Sequence, residues 1–244
     1  MLEFCGIYFK GLKKDFILSL LENTKSFNII NTVNAEFIVI ANENERFREI
    51  LNQNISTIDG QIPYLFLKIK YRNLEFEKLS GSDLIFDICK KASELKLKVF
   101  LLGGLEISNK LSQKRLKELF PELIISGYSP PFAPYPFPKQ HNEKILKNLR
   151  EFSPDIMFVA FGAPKQEFWI EDNKTLLEKI GIKLAIAVGG TFELVAGIEK
   201  RAPKFIQKIG LESVWRLYQN PKRFNRFVRN FKFFKYVFQK EVLK

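Results

Sequence analysis

Residues 155–170 read DIMFVAFGAPKQEFWI, and this stretch decides the fold. Its uncharged apolar run, 156–161, suits a strand buried on both faces. Gly162-Ala163-Pro164 breaks the run, and Lys165-Gln166-Glu167 opens a helix that carries Phe168, Trp169 and Ile170. A buried strand passing through a Gly/Pro turn into a helix places that turn at the carboxyl edge of a parallel sheet. Open α/β folds hold their ligands there. Gly162 lets a backbone or substrate come close, and the helix start offers N–H groups to an anion. Lys165, Gln166 and Glu167 add a cation, an amide and a carboxylate. The same pattern also fits an ordinary βα turn with a solvated first turn.

The grammar repeats on either side. Strands are expected over 27–32, 55–58, 99–102, 123–126 and 184–188. Helices are expected over 35–42, 45–53, 62–71, 82–95 (capped by Ser80 or Ser82), 108–120 and 142–151. Such alternation through short loops predicts an α/β domain with a Rossmann-like, mostly parallel sheet and helices on both faces, over residues 1–200. Three strands end in Asp59-Gly60, Gly103-Gly104 and Gly189-Gly190-Thr191, and the fourth ends in Gly162-Ala163-Pro164. Four such ends on one sheet edge point to a ligand cleft.

Charge is distributed unevenly along the chain. Of a net +12, the last 44 residues carry twelve Lys/Arg against Glu212 and Glu241, a net +10, which leaves +2 for residues 1–200. A nearly neutral body with a basic appendage, 201–244, suggests an anionic partner surface, nucleic acid or membrane. Hydrophobic residues at 46% and charged residues at 27% exclude a disordered chain. No uncharged run approaches the length of a membrane span, and the first residues lack the pattern of a leader. Cys5 and Cys89 stand in no metal or redox spacing and read as reduced, buried thiols. Several catalytic classes lack their signatures. There is no G-x-G-x-x-G, no P-loop, no H-E-x-x-H and no Asp-x-Asp, and the single His141 lies beside a Pro-rich loop.

Nine short segments stand out in one order and spacing. They are Asn31-Thr32-Val33-Asn34, Asp59-Gly60, Leu79-Ser80-Gly81-Ser82-Asp83-Leu84, Phe100-Leu101-Leu102-Gly103-Gly104 and the run Phe161 to Ile170 quoted above. Val188-Gly189-Gly190-Thr191-Phe192, Ala196-Gly197, Lys200-Arg201-Ala202-Pro203 and Gly210-Leu211-Glu212 complete the set. In both order and spacing, the chain resembles the WecG/TagA/CpsF glycosyltransferases, glycosyltransferase family 26, over roughly residues 27–230. The resemblance implies a bacterial enzyme that moves a sugar, with inversion, from a UDP-sugar to a polyprenyl-diphosphate-linked saccharide in cell-surface polysaccharide assembly. It implies a cytoplasmic location on the inner face of the membrane, while the missing Asp-x-Asp and the cations of Lys78 and the tail predict catalysis without a metal, and no cofactor is expected.

Residue by residue, the resemblance makes Asp59 the catalytic base, with Thr32 and Lys78 beside it. Asn34, Gly103, Gly104, Gln166, Glu167, Gly189, Gly190 and Glu193 become substrate-binding. Arg216, Arg223, Arg226 and Arg229 become contacts to the acceptor diphosphate or the membrane. The chemistry is consistent, since inverting transfer needs a base for the acceptor hydroxyl and cations or N–H groups for the departing diphosphate. Two positions depart from the family pattern. Lys78 replaces an arginine and loses its bidentate fork. Glu193 replaces an aspartate and stands one methylene further out.

Two stretches keep two readings each. GYSPPFAPYPFP, 127–138, fits a rigid surface loop or a stacking wall for the acceptor sugar. In the appendage, Phe224, Phe227, Phe231, Phe234 and Phe238 repeat at helical spacing. Lys222, Arg226, Arg229, Lys232 and Lys240 fall opposite them, with Asn220 as cap and Pro221 in the first turn. That face fits a final core helix or an interfacial membrane helix on an anionic surface. A nucleic-acid-binding protein that uses the same basic, aromatic tail is the alternative from another class. It leaves the glycine-edged cleft without a task, so no nucleic-acid partner is expected.

Overall fold

The structure, a computed structural model, describes residues 1–22, 26–221 and 224–243, with only the backbone of Asn225 and Arg226. Its strands are β1 (Leu2–Phe4), β2 (Ile7–Phe9), β3 (Asn28–Val33), β4 (Ile55–Ile58), β5 (Lys98–Gly103), β6 (Ile124–Tyr128), β7 (Ile156–Ala160) and β8 (Leu184–Ala187). The last six form one mostly parallel sheet with helices around it, in the order β4-β3-β8-β7-β5-β6. The expected α/β class is therefore what is found. The residues fall into two compact units, one of Asp15–Ile30 and Gly81–Ile198, the other of Met1–Lys14, Asn31–Ser80 and Glu199–Lys244.

In the first of these units, β5 pairs in parallel with β6 on one side and β7 on the other, and β7 pairs in parallel with β8. A short helix, α1 (Lys14–Ser19), contributes the buried Ile17. From β5 the chain runs outward through α6 (Glu106–Leu119) to β6, then returns through α7 (Lys139–Phe152) to β7 on β5's other side. The reversal opens a switch point at the carboxyl ends of β5 and β7, where α/β sheets leave a crevice.

Alternation along the strands explains the burial. Phe100, Leu102, Met157, Val159, Ala185 and Ala187 pack with Ile145, Leu146 and Leu149 of α7. Trp169 and Ile170 of α8 (Lys165–Asp172) and Leu177 of α9 (Lys174–Ile180) join the same core. The intervening Val99, Leu101, Phe158 and Ile186 are also fully buried, so both faces of these strands are covered. α5 (Gly81–Glu94) buries Leu84, Ile85, Ile88 and Cys89 and lies against β5.

The other unit begins with a hairpin of β1 and β2, which the sequence reading does not anticipate. Its two-residue turn, Cys5-Gly6, has φ of 52° and 80°, the left-handed backbone that tight hairpins require. β3 feeds α2 (Ala35–Glu43), and α3 (Glu45–Gln53) leads into β4 and α4 (Gln61–Lys70). Asn44 ends α2 and caps α3 by accepting from the Phe47 N–H at 2.9 Å. Such double use makes a sharp corner without an intervening loop.

Beyond β8 the chain is helical, as expected of its C-terminal segment, but not as one rod. It forms α10 (Thr191–Val195), α11 (Lys204–Lys208), α12 (Glu212–Gln219), α13 (Phe224–Asn230), α14 (Lys232–Val237) and a π-turn, Phe238–Val242. Asn220 ends α12, and the turn it is expected to cap runs into residues outside the described ones. Lys222, Arg223 and the Arg226 side chain lie outside the described residues. The buried side of α14 is Phe233 and Val237, at 1% and 5% exposure. Phe233 sits 6.3 Å from the Phe4 ring and 5.7 Å from the Phe66 ring. The predicted stripe points elsewhere, with Phe224, Phe231, Phe234 and Phe238 all about half exposed.

The cations do not all face outward either. Arg229 pairs with Glu36, and Lys232 with Glu43 at 2.7 Å, both carboxylates belonging to α2. The register of the final helices thus depends in part on charges 193 and 189 residues away, which no local periodicity reports. The Lys232 hydrogen bond holds the Glu43 carboxyl below the usual glutamate range. A depressed carboxyl stabilises above its unfolded value, so this contribution is lost as pH falls through the folded one.

Glu241 closes the other end. It accepts from the Cys5 N–H at 2.6 Å and from Lys70 at 2.7 Å, while Lys70 also reaches Glu3 at 3.1 Å. Burial pulls the Lys70 ammonium down, but the bonds to Glu241 and Glu3 outweigh it and hold the group above its ordinary value. Burial, with help from Glu241 and Glu3, pushes the Cys5 thiol up to about 12. Burial alone raises Cys89. Neither thiol is therefore expected to react with Ellman's reagent at pH 8 in the native protein, and both should react after denaturation. Rapid native labelling of Cys5 would show that the hairpin opens.

Candidate functional site

In the sheet unit, three strand ends meet at the switch point. Gly104 N–H bonds the Ala160 carbonyl at 2.9 Å and Val188 N–H the Val159 carbonyl at 2.9 Å, which levels the ends of β5, β7 and β8. The glycines there serve different purposes. A Cβ on Gly103 would stand 2.8 Å from the Ala160 oxygen and from the Phe161 ring, so Gly103 is required by packing. Gly162 and Gly189, both left-handed, would direct a Cβ into open space. Those two turns are where a ligand's backbone-facing groups fit without displacing protein.

Gln166 joins these open turns. Its Oε1 accepts from the Gly162 and Gly189 N–H groups, each at 3.1 Å, and its Nε2 donates to Glu167 at 2.7 Å. At 1% and 0% exposure, Gln166 and Glu167 work from beneath the turns. Both residues stand out in the Lys-Gln-Glu segment, which carries no sign of this stitching. Gly190 begins α10, and Glu193 on that helix accepts from Ser108 Oγ at 3.2 Å.

Asn109 is not singled out by sequence reasoning. It is 2% exposed, and its Nδ2 donates to the Leu101 and Gly103 carbonyls at 2.8 and 2.9 Å. Ser129 adds a second donor to the Gly103 carbonyl at 2.9 Å. An Asn one turn into the helix that follows Gly-Gly is the only available cue, and it is weak.

The Pro-rich loop packs through its base. Tyr135 bonds Asp172 and stacks on Phe168, and Phe137 meets Phe161 edge-on at 5.1 Å. Its tip does not pack, since Phe132 is 90% exposed with Lys165 Nζ 4.6 Å from its ring centroid. The loop is therefore packed at its base and exposed at its tip. His141 touches Phe137 at 4.7 Å, and burial lowers its pKa, which favours neutral imidazole.

The second group belongs to the other unit. Asp59 follows β4, and its N–H donates to the Val33 carbonyl at 2.8 Å, beside Thr32 and Asn34. The segment after α4 pairs alongside β4. Leu79 N–H donates to the Ile58 carbonyl at 2.8 Å, and Thr57 Oγ1 to the Leu79 carbonyl at 3.0 Å. That pairing brings Lys78 next to Asp59's strand end, where its ammonium donates to Gln61 Oε1 at 3.1 Å. Gly60 is left-handed at φ 84°, and a Cβ there would reach Asn34 at 3.9 Å.

Thr32 is buried, at 4% exposure. Asn34 is committed through Oδ1, which accepts from the Glu36 and Phe37 N–H groups at 2.9 and 3.3 Å as the cap of α2. Asp59, Lys78, Thr32 and Asn34, scattered over 47 positions of sequence, thus converge through two strand ends.

The Lys-Arg-Ala-Pro segment is held here too. Gln219 clamps the Lys200 backbone with two 2.8 Å bonds, and Trp215 Nε1 donates to the same carbonyl at 3.0 Å. A Cβ on Gly210 would meet Ile62 at 3.0 Å, which sets the start of α12 against the start of α4. Arg216 lies 3.7 Å from Glu212. Arg229 stands at the first turn of α2 through Glu36. Among the described residues, no group of three His, Cys, Asp or Glu has the spacing of a metal site.

The model of the glycosyl transferase WecG/TagA/CpsF family matches residues 3–244. A relative from Bacillus spizizenii is 30% identical over 84% of this chain and 76% of its own length. Relatives from Staphylococcus aureus and Bacillus subtilis are each 27% identical, over 86% and 81% of this chain and 82% and 74% of theirs. All three are named N-acetylglucosaminyldiphosphoundecaprenol N-acetyl-beta-D-mannosaminyltransferase. With the α/β sheet, its glycine-edged strand ends and a family match across nearly the whole chain, this protein belongs to the WecG/TagA/CpsF family of glycosyltransferases.

Proposed function

We propose that this glycosyltransferase moves a hexose or N-acetylhexosamine from a UDP-sugar onto a polyprenyl-diphosphate-linked saccharide, with inversion, in cell-surface polysaccharide assembly. The observation that carries the reading is the shared name of relatives that span four fifths of the chain, which specifies an N-acetylmannosaminyl donor group and a lipid-diphosphate N-acetylglucosamine acceptor. The site's chemistry supports it. The acceptor hydroxyl attacks the anomeric carbon as the bond to the UDP oxygen breaks, and Asp59 takes the hydroxyl proton. Lys78, on the neighbouring segment, offsets negative charge. Preorganised cations and N–H groups aimed at a departing diphosphate lower the barrier most where they need no reorganisation. Gly162 and Gly189 leave room for the donor, and Gln166 fixes both turns.

Membrane contact belongs to the same proposal. No helix among the described residues is long and apolar enough to cross a bilayer. The half-exposed Phe224, Phe231, Phe234 and Phe238 instead offer an aromatic surface flanked by cations, suited to the acyl boundary of an anionic, inner-face membrane. The basic appendage, 201–244, is in this reading the membrane-docking part of a catalytic body, 1–200.

A panel of UDP-sugars with a polyprenyl-diphosphate N-acetylglucosamine acceptor tests the reading. Transfer from UDP-N-acetylmannosamine is the expected result. Salt-sensitive RNA binding with no UDP-sugar binding would instead favour a nucleic-acid protein. Because the chain lacks Asp-x-Asp and supplies cations of its own, transfer is expected to survive excess EDTA. Loss on EDTA with recovery on manganese or magnesium would overturn the assignment of cations to the leaving group.

A further inference from the structure

Glu36 has no part in the chemistry above, yet it is 4% exposed in the first turn of α2. A carboxylate in that position is costly unless it is paired. It pairs with Arg229 of α13, and the Glu36 N–H is itself bound by Asn34 Oδ1 at 2.9 Å. Glu36 thus touches the capping residue of the Thr32-Val33-Asn34 turn on one side and the tail on the other. Two helical turns further along the same face of α2, Glu43 pairs with Lys232 at 2.7 Å and lies 3.4 Å from the Tyr236 hydroxyl.

Phe233, packed between Phe4 and Phe66, and the bonds of Glu241 to Cys5 and Lys70 fix α14 and the turn after it. α13 makes none of those contacts. Two charge pairs on one face of α2 tie it in, one from Arg229 within α13 and one from Lys232 at the start of α14. The inner pair is the more demanding, because sliding α13 would pull a guanidinium away from a buried carboxylate. The outer pair is more exposed and weaker.

We propose that Glu36 is a positioning residue for the lipid-linked acceptor. Through Arg229 it holds α13 in register with the Asn34 turn, so that the aromatic surface of the tail and the group around Asp59 address the two ends of the same acceptor. This rests on the transferase reading above. Arg229 is then a strut that binds protein rather than lipid phosphate.

The test is steady-state kinetics of the full chain with acceptor in anionic vesicles. Glu36→Gln removes the charge while leaving Arg229 at the surface. It should raise the acceptor KM about tenfold or more, with kcat and donor KM within about twofold of wild type. Glu36→Asp, which keeps the charge one methylene short, should give an intermediate rise in acceptor KM. In a double-mutant cycle, adding Arg229→Gln to Glu36→Gln should raise the acceptor KM no further. An unchanged acceptor KM, a fall in kcat alone, or additive losses in the cycle would overturn the proposal. If Glu36→Gln does not fold, the same split of KM from kcat in Glu36→Asp decides, an intermediate rise in acceptor KM supporting the strut and wild-type kinetics refuting it. Wild-type protein that transfers no sugar under these conditions refutes the transferase reading instead, before any variant is compared.

Discussion

Replacing Asp59 by asparagine is expected to lower turnover on a lipid-linked acceptor by about two orders of magnitude or more, while UDP binding stays within a few-fold of wild type. Asparagine keeps the size and hydrogen bonding of the side chain but cannot take up the acceptor's proton. The backbone at this position depends little on the side chain. Asp59 N–H is bound by Val33, and the preceding Ile58 carbonyl by Leu79. The left-handed Gly60 then turns the chain into α4. The comparison is turnover with lipid-linked acceptor against calorimetric UDP affinity. Near-wild-type turnover in the asparagine variant removes Asp59 from the base role.

The pair Phe231→Asp with Phe234→Asp should abolish sedimentation with anionic vesicles. The two rings are 59% and 45% exposed, and their packed sides meet Phe227 (Phe231) and Phe66 with Phe233 (Phe234), so a modest loss of stability should accompany the lost sedimentation. Each buried phenyl contributes about 1.5–3 kcal/mol to insertion. Losing two, with carboxylates set against anionic headgroups, should weaken partition by roughly a hundredfold or more. Phe233→Ala provides the contrast. At 1% exposure, between the Phe4 and Phe66 rings, it should destabilise the protein by about 3–5 kcal/mol. If the aspartate pair still sediments and unfolds earlier on heating, the stripe is core and the membrane reading fails.

Elements whose cause is local were legible before the structure. α3 and β4 fall on the expected residues because Asn44 caps a strongly amphipathic segment and Ile55–Ile58 is a short apolar run bounded by polar residues. The turn after β7 was legible because a strand, a Gly/Pro break and a helix are each specified within a few residues. The hairpin was not, because two three-residue strands carry too little alternation to stand out. The short helices α9 to α12 were missed for a related reason. Five to eight residues do not overcome helix nucleation alone, so contacts elsewhere in the chain form them.

The candidate site divides in the same way. The types of its residues were readable, and their partners were not. Gln166 spans two turns 27 residues apart, and nothing in Lys-Gln-Glu announces that its amide faces inward. The helical spacing of the tail placed Arg229 opposite the phenylalanines, but only the fold shows that this side meets Glu36.

The bond from Glu241 to the Cys5 N–H has a consequence for biosynthesis. It joins positions 236 residues apart, and Phe233 against Phe4 is nearly as distant. A ribosome releases the hairpin long before its packing partners. The sheet unit built on residues 15–30 and 81–198 has all its strands and helices while the tail is still being made. The contacts of the other unit with the tail form only once the tail emerges, since they close a loop of more than two hundred residues. Through most of synthesis Phe4 and Phe66 lack the Phe233 ring that packs against them, and a nascent chain stalled before residue 233 should be a better chaperone client than the finished protein.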